Sequence, residues 1–206
     1  MIEHSRSSWS SSDIWAGIKS LIFFVIIVLL LRGSVVEAFK IPSGSMIPTL
    51  RIGDHLLVSK LSYGLRLPFV TNSLALWSTP TRGDVVVFTR PDDETTLEDE
   101  ADINLIKRVI GLPGDKVEVR NTSVFINDER LDESYAVWEE GGLREGNFGP
   151  EKVPEGHILL LGDNRDHSKD SRFWQDPFVD MHRIKGRALI IYWSFDSYSR
   201  MGDIIR

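Results

Sequence analysis

Two serines on either side of a glycine are the residues of this chain best suited to nucleophilic chemistry. They lie in residues 41–50, IPSGSMIPTL, where prolines restrict the backbone at both ends. If this segment is extended, its side chains alternate between two faces, and one face carries Phe39, Ile41, Ser43 and Ser45. Such a face could hold an extended peptide and present a hydroxyl at its end. Pro, Ser and Gly are also the usual residues of a plain turn, so the segment alone does not decide between the two.

Two adjacent cations provide a candidate base. Lys107 and Arg108 interrupt the apolar run 104–111, NLIKRVIG. On a strand they point to opposite faces, each shared with apolar neighbours, so the pattern does not show which cation is buried. Burial would lower the pKa of Lys107 and make it the neutral base that a weak serine nucleophile needs. The alternative is that Lys107 extends to water, as most lysines do.

A polar loop follows the apolar segment 157–161. Residues 162–172, GDNRDHSKDSR, contain many short side chains that can hydrogen-bond to one another. The spacing of its acidic residues resembles the start of a calcium loop. However, Ser171 stands where that loop needs glycine and Pro177 where it needs glutamate. We therefore expect no metal site in this loop.

Composition limits the classes of function. The chain has 206 residues, of which 42% are hydrophobic and 26% charged, as in a folded protein. Its formal net charge of −6 argues against nucleic-acid binding, which needs a basic face. It has no cysteine, which excludes disulfides and thiolate metal sites.

One stretch near the N-terminus has the character of a membrane segment. Residues 14–31 are mostly apolar, and 21–31 carry no polar residue. Their length is near the lower limit for crossing a hydrocarbon core of about 30 Å. A cleavable signal peptide competes with a transmembrane anchor, because 21–31 fits its apolar core and 36–38, VEA, is a passable cleavage site. Either interpretation places the rest of the chain outside the cytoplasm.

After residue 40 the pattern is typical of β-strands. Seven short segments rich in Val, Ile and Leu are bounded by Gly, Pro and Asn-Asp turn signals: 55–60, 84–89, 105–110, 116–120, 123–126, 157–161 and 187–193. No convincing amphipathic helix longer than three turns follows residue 40. The pattern therefore predicts a mainly antiparallel β domain, with an irregular insertion or cap over 131–154.

Four motifs in order resemble the bacterial type I signal peptidase (leader peptidase) family, and the resemblance covers about residues 35–205. Residues 43–50 are similar to the nucleophile motif of that family and 82–88, RGDVVVF, to its strand motif. Residues 106–115, IKRVIGLPGD, are similar to the base motif, and 162–172 to the terminal loop motif. A single motif would be weak evidence, but four in register are specific.

The resemblance implies a role for individual residues. It makes Ser45 the nucleophile, Lys107 the general base, and Ser43 a side-chain donor to the oxyanion beside the Ser45 backbone N–H. Supporting residues around the base and its loop would be Ser168, which holds Lys107, and Asp170 and Arg172, which brace the loop with Arg108. Shallow substrate subsites would be lined by Phe39, Ile41, Leu56, Val87 and Ile106.

The resemblance also implies a fold and a location. The fold is mainly β: a single N-terminal transmembrane helix, then a coiled antiparallel β catalytic domain with a short β or irregular insertion at about 114–156. Residues 1–13 would be a cytoplasmic tail, 14–33 the anchor and 34–206 the catalytic domain. That domain would lie on the outer, periplasmic or lumenal face of the plasma or thylakoid membrane. Its partners would be preprotein signal peptides and membrane lipid, without nucleic acid, metal or cofactor.

The predicted function is a membrane-bound serine endopeptidase with a Ser-Lys dyad that cleaves signal peptides after small residues at −1 and −3. The site must lie close to the membrane, because Leu31 and Ser45 are at most about 50 Å apart. That proximity favours a retained anchor over a cleaved signal peptide.

Three other functions compete with this prediction. A Ser-Lys self-cleaving repressor shares the dyad, but the apolar stretch and the lack of a DNA-binding segment disfavour it. An inactive paralogue or an exported binding module on the same fold belongs to another class. A histidine-based triad could use His167, which stands where the family motif usually has asparagine, with Asp166 or Asp170.

Overall fold

The N-terminal apolar stretch forms a helix. The structure, a computed structural model, describes residues 11–65, 75–76, 78–89, 104–138 and 146–206. The helix α1, Ser11–Ser34, contains the predicted anchor of residues 14–33. Among the described residues, no helix combines the length and apolarity needed to cross a membrane, so the span is not confirmed. The predicted tail lies outside the described residues except for 11–13, which begin α1.

Most strands of the described chain belong to one antiparallel sheet. Numbered along the chain, its strands are β1 Val36–Lys40, β2 Asp54–Ser59, β5 Val85–Thr89, β6 Asn104–Gly111, β11 His157–Leu161, β12 Phe178–Asp180 and β13 Ile184–Ser194. Their order in the sheet is β1-β2-β13-β5-β6-β11-β12. The late strand β13 therefore separates the first two strands from β5 and β6. Every neighbouring pair is antiparallel.

A second, smaller sheet follows β6. In the described part of the chain its order is β10-β7-β8-β9. Its strands are β7 Lys116–Arg120, β8 Ser123–Ile126, β9 Glu129–Arg130 and β10 Phe148–Lys152. The turn between β7 and β8 has positive φ at Asn121 and Thr122, and the next turn has it at Asn127 and Asp128. Two consecutive residues with positive φ are typical of tight hairpin turns, and in these two turns neither position is glycine.

Shorter elements complete the described fold. β3 Gly64–Leu65 and β4 Ala75–Leu76 form a two-stranded ribbon. Short 3₁₀ helices occur at Lys60–Ser62, Arg165–His167, Ser171–Phe173, Met181–Arg183 and Tyr198–Arg200. They lie between strands or follow the last one.

The mainly antiparallel β fold predicted from the sequence is confirmed. All seven predicted segments overlap a strand, and 116–120, 123–126 and 157–161 match β7, β8 and β11 at both ends. The prediction of an irregular 131–154 was wrong in part, because β10 lies within it. The sequence pattern did not predict β10, because only Phe148 of its five residues is buried.

Side chains from both faces of the main sheet are buried. Val85 and Val87 of β5 enter one hydrophobic cluster, whereas Val86 and Phe88 enter a second. A third cluster joins β11 to the second sheet. Both faces of β6 are covered, since Val109 enters the second cluster and Ile110 the third, and the last five residues of the strand are all buried. A charged residue in this half of β6 must therefore find its partners inside the protein.

Candidate active site

The serine-rich segment is a series of turns. Strand β1 ends at Lys40, and the backbone then turns through hydrogen bonds from Ile47 N to Gly44 O (3.1 Å) and from Leu50 N to Met46 O (2.8 Å). Of the two interpretations of this segment, the turn is confirmed and the extended face through Ser45 is not. Met46 and Leu50 are fully buried, so they fix the turn to the first cluster.

The turn presents its two serines differently. Ser43 is exposed, whereas only 8% of the Ser45 surface is accessible. Ile41, just before them, is buried. The turn interpretation is therefore compatible with the nucleophile interpretation, because a rigid turn can still direct one hydroxyl inward.

Lys107 meets Ser45 inside the protein. Its Nζ lies 2.7 Å from Ser45 Oγ and donates to the Ile106 carbonyl at 3.1 Å. Lys107 is only 4% exposed, so the alternative in which it extends to water was wrong. Burial lowers the pKa of Lys107 to about 8, although the charges of Asp170 and Asp163 act to raise it. Near that pH a large fraction of the amine is neutral and can accept the Ser45 proton.

Arg108 is buried as well, on the other face of β6. It is 1% exposed and forms a two-point ion pair with Asp163, with Nε–Oδ1 at 2.8 Å and Nη2–Oδ2 at 2.7 Å. It also donates to the carbonyls of Gly83 and Arg206, both at 2.7 Å, and lies 3.9 Å from the ring centroid of Tyr135. Buried ions need such pairing, because an unpaired charge inside a protein is very unfavourable.

Asp163 was missed by the sequence analysis. Besides Arg108, it accepts a hydrogen bond from Thr49 Oγ1 at 2.5 Å, which links β6, the loop and the end of the serine turn. The predicted brace between Arg108 and Asp170 is replaced by two separate pairs. Asp170 binds Arg172 at 2.8 and 3.0 Å and accepts from Gly162 N at 2.9 Å.

The loop of residues 162–172, called the catalytic loop below, contacts the serine turn directly. Asn164 N donates to Ser45 O, and Asn164 Nδ2 donates to Gly44 O, both at 3.1 Å. Sequence analysis did not single out Asn164, although it lies in the loop motif. These bonds make the position of the Ser45 backbone depend on the loop.

Ser168 lies close to the Ser45 backbone, but it does not hold Lys107 as predicted. It is 4% exposed, and its Oγ has no hydrogen-bond partner among the described residues. A Cβ at Gly162 would lie 2.2 Å from Ser168 Oγ and 2.5 Å from Ser45 O. Only glycine at 162 therefore allows these two serines to approach one another.

The family comparison decides the class of this site. The sequence model described as "Signal peptidase, peptidase S26" matches residues 14–193. The chain belongs to this family. It is 38% identical to "Signal peptidase I" of Pseudomonas fluorescens, covering 90% of this chain and 78% of that protein. It is 37% identical to "Signal peptidase I" of Leptolyngbya laminosa, covering 94% and 86%. A solved signal peptidase I from Enterococcus faecalis aligns at 30% identity and a TM-score of 0.40, covering 53% of this chain and 97% of that one.

Membership of the signal peptidase family makes this chain a peptidase of the serine class that acts on signal peptides. The predicted family and enzyme class are therefore confirmed. Within the described ranges, no cluster of His, Asp and Glu side chains is arranged to hold a metal ion.

The residues predicted to line the substrate subsites lie together. Ile41, Leu56 and Val87 are buried in the first cluster, with at most 2% of their surface exposed, and Phe39 and Ile106 pack against it while partly exposed. Only the last two reach solvent appreciably.

His167 has a different environment from that of Lys107. It is exposed, directly precedes the buried Ser168, and its N–H donates to Asn164 O at 3.1 Å. Lys107, in contrast, is buried and in hydrogen-bond contact with Ser45 Oγ.

Proposed function

We propose that this signal peptidase is a membrane-bound endopeptidase that removes signal peptides from exported preproteins with a Ser45–Lys107 dyad. The observation that carries the proposal is the 2.7 Å contact between Lys107 Nζ and Ser45 Oγ in a buried site. This geometry supports the assignment of Ser45 as nucleophile and Lys107 as its base, because a serine hydroxyl reacts poorly without an adjacent base.

Neutral Lys107 accepts the proton of Ser45 as Oγ attacks the carbonyl carbon of the scissile bond. The protonated amine then gives that proton to the departing amine of the mature protein. Lys107 next accepts a proton from water, whose oxygen attacks the carbonyl carbon of the acyl-enzyme. The protonated amine then returns that proton to Ser45 Oγ as the bond between Oγ and the acyl carbon breaks and the signal peptide leaves. One base serves both half-reactions, so its pKa of about 8 suits proton transfer near neutral pH.

The negative oxygen of the tetrahedral intermediate needs donors. We assign these to the Ser45 backbone N–H and the Ser43 hydroxyl. Ser43 is exposed in the absence of substrate, so its hydroxyl can rotate toward a bound carbonyl. Donors aimed at the oxyanion stabilise charge that develops only in the transition state.

We assign supporting roles to the charged residues of the loop. Arg108 with Asp163, and Asp170 with Arg172, hold the loop through pairs whose side chains are at most 1% exposed. The Oγ of Ser168 is buried, and we assign to it the role of accepting a hydrogen bond from the Lys107 amine once that amine leaves Ser45.

We infer that cleavage follows small residues at −1 and −3. Phe39 and Ile106 are only partly exposed above the buried Ile41, Leu56 and Val87, a surface with little depth for a large side chain. A bulky −1 residue would displace the scissile carbonyl from Ser45. Comparing preproteins with alanine or phenylalanine at −1 tests this inference, and efficient cleavage after phenylalanine would refute it.

We further propose that residues 14–33 anchor the chain in the plasma or thylakoid membrane, with residues beyond about 33 outside the cytoplasm. The support is the uncharged apolar run 21–31. Membrane lipid and preprotein signal peptides are the proposed partners. Protease added from outside should digest the catalytic domain and spare the first residues, and a domain protected inside the cell would contradict this orientation.

Cleavage of a preprotein by the purified full chain tests the dyad. Wild type should cut it, whereas Ser45→Ala and Lys107→Ala should not. A wild type that binds the preprotein without cutting it would favour an inactive paralogue or a binding module. Activity that survives Lys107→Ala but not His167→Asn would favour the histidine.

A further inference from the structure

A segment of the insertion crosses the catalytic loop. Residues 131–138, called the crossing segment below, follow β9, and Leu131, Tyr135 and Trp138 pack against the third cluster. Val137 N donates to Asp163 O at 2.8 Å, and Arg165 N donates to Val137 O at 3.0 Å. These two bonds form a short parallel bridge between Val137 and Asn164. The loop that contacts Ser45 is thus paired on its other side with the insertion.

A buried ion pair strengthens this crossing. Arg165 donates to both carboxylate oxygens of Glu133, with Nη1–Oε2 at 2.8 Å and Nη2–Oε1 at 2.5 Å. The side chain of Arg165 is fully buried, and that of Glu133 is 7% exposed. The remaining guanidinium nitrogen, Nε, donates to Gly162 O at 3.0 Å. One carboxylate therefore orients an arginine that holds the first residue of the catalytic loop.

Tyr135 connects the same carboxylate to β6. Its hydroxyl donates to Glu133 Oε1 at 3.1 Å, and its ring lies 3.9 Å from the Arg108 guanidinium carbon. Burial and the Glu133 charge raise the pKa of Tyr135, so its hydroxyl keeps its proton. Glu133 therefore accepts hydrogen bonds from Arg165 of the catalytic loop and from Tyr135. The Tyr135 ring stacks on Arg108, the neighbour of Lys107.

These contacts form a path from the insertion to the nucleophile. Glu133 holds Arg165, and the preceding residue, Asn164, donates to the carbonyls of Ser45 and Gly44. We propose that Glu133 is a positioning residue that keeps the catalytic loop closed over Ser45 and Lys107. This role rests on the proposed Ser-Lys mechanism and assigns to the insertion a part in the chemistry.

If Glu133 positions the catalytic loop, its loss should change the pKa of Lys107. Loss of an ion pair that only stabilises the fold should not. If the loop loosens, water reaches Lys107, and the burial that lowers its pKa is relieved. The acidic limb of kcat/KM, which reports the base of the free enzyme, then moves to higher pH. A lower melting temperature alone would leave that limb where it is.

The test compares Glu133→Gln with Asp132→Asn in the full-length protein. Glutamine keeps the shape of the side chain but removes its charge, and Asp132 is the exposed neighbouring carboxylate. We expect Glu133→Gln to lower kcat/KM at pH 7 by about ten- to a hundredfold, as for a small misplacement of reacting groups, and to shift the acidic limb upward. Asp132→Asn should match wild type in both measurements.

Tyr135→Phe provides a second variant if Glu133→Gln does not fold. It removes the hydroxyl bonded to Glu133 Oε1 and retains the ring over Arg108, so a smaller upward shift of the limb is expected. An unshifted limb in the folded variant, with or without a lower melting temperature, would overturn the positioning role while the dyad stands. Failure of wild type and Asp132→Asn to cleave would instead overturn the proposed function and this inference with it.

Discussion

Replacing Lys107 with methionine should remove activity and yet stabilise the protein at pH 7. Methionine fills a similar volume without a charge, so it removes the unfavourable burial of an ammonium group. The pKa of Lys107 falls from 10.5 to about 8 on folding. At about 1.36 kcal/mol per pKa unit this gap corresponds to about 3 kcal/mol.

Part of that gain is offset by lost contacts. Lys107 is bonded to Ser45 Oγ and to the Ile106 carbonyl, and a hydrogen bond contributes about 1 kcal/mol net. We therefore expect Lys107→Met to unfold with a free energy about 1–2 kcal/mol above that of wild type at pH 7. Urea unfolding followed by tryptophan fluorescence measures this difference.

The pH dependence gives the sharper test. The folded-state pKa of Lys107 lies below the unfolded value, so the penalty is complete below about pH 8 and disappears above about pH 10.5. Wild type should therefore gain about 2 kcal/mol relative to Lys107→Met between pH 7 and pH 9.5. Other titrating groups are common to both proteins and cancel in the comparison. If the difference in unfolding free energy between the two proteins stays constant over this range, the lowered pKa of a buried Lys107 is refuted.

The histidine, the ion pairs and the glycine of the catalytic loop each give a further test. His167→Asn should keep most cleavage activity, whereas Lys107→Arg should abolish it, because guanidinium stays protonated; steady-state cleavage distinguishes the two. Asp163→Asn should lower the unfolding free energy by about 3–5 kcal/mol by leaving a buried arginine unpaired. Asp128→Asn, in an exposed pair, should change it by less than about 1 kcal/mol, and equal effects in urea unfolding would contradict this. Gly162→Ala should abolish cleavage, because its Cβ would lie 2.2 Å from a serine oxygen; a wild-type rate would exclude that crowding.

Strands with one buried face were predictable from the sequence. In β7, Val117 and Val119 are buried between exposed or partly exposed neighbours, and turn residues end the strand on both sides. β10 shows the opposite case. It is an edge strand containing Gly149 and Pro150, and four of its five residues are exposed. A strand with only one buried residue shows no alternation of apolar and polar residues from which it could be predicted.

Burial of the two cations was not predictable, for a related reason. Lys107 and Arg108 alternate on β6, and a one-faced sheet would leave one of them in water. Both are buried because β6 is an interior strand with both faces covered, a property of the whole sheet. The local pattern contains no information about which strands lie on either side.

The partners of the catalytic loop depend equally on distant residues. Arg108 and Asp163 are 55 positions apart, and the loop offers Asp166 and Asp170 as chemically equivalent acids. Nothing in the sequence distinguishes among these three carboxylates. Motifs predicted which residues gather near Ser45, and the fold decides which of them pair.

The place of β13 in the sheet has a consequence for the order in which the site is made. β1 and β2 flank the serine turn, β6 carries Lys107 and pairs with β5, and β13 lies between β2 and β5 although it follows all of these strands in the sequence. Until β13 leaves the ribosome, the two halves of the sheet have no strand to join them. Ser45 and Lys107 therefore acquire their final registration only after β13 has been made, so we expect a chain truncated before β13 to lack the contact between Lys107 Nζ and Ser45 Oγ.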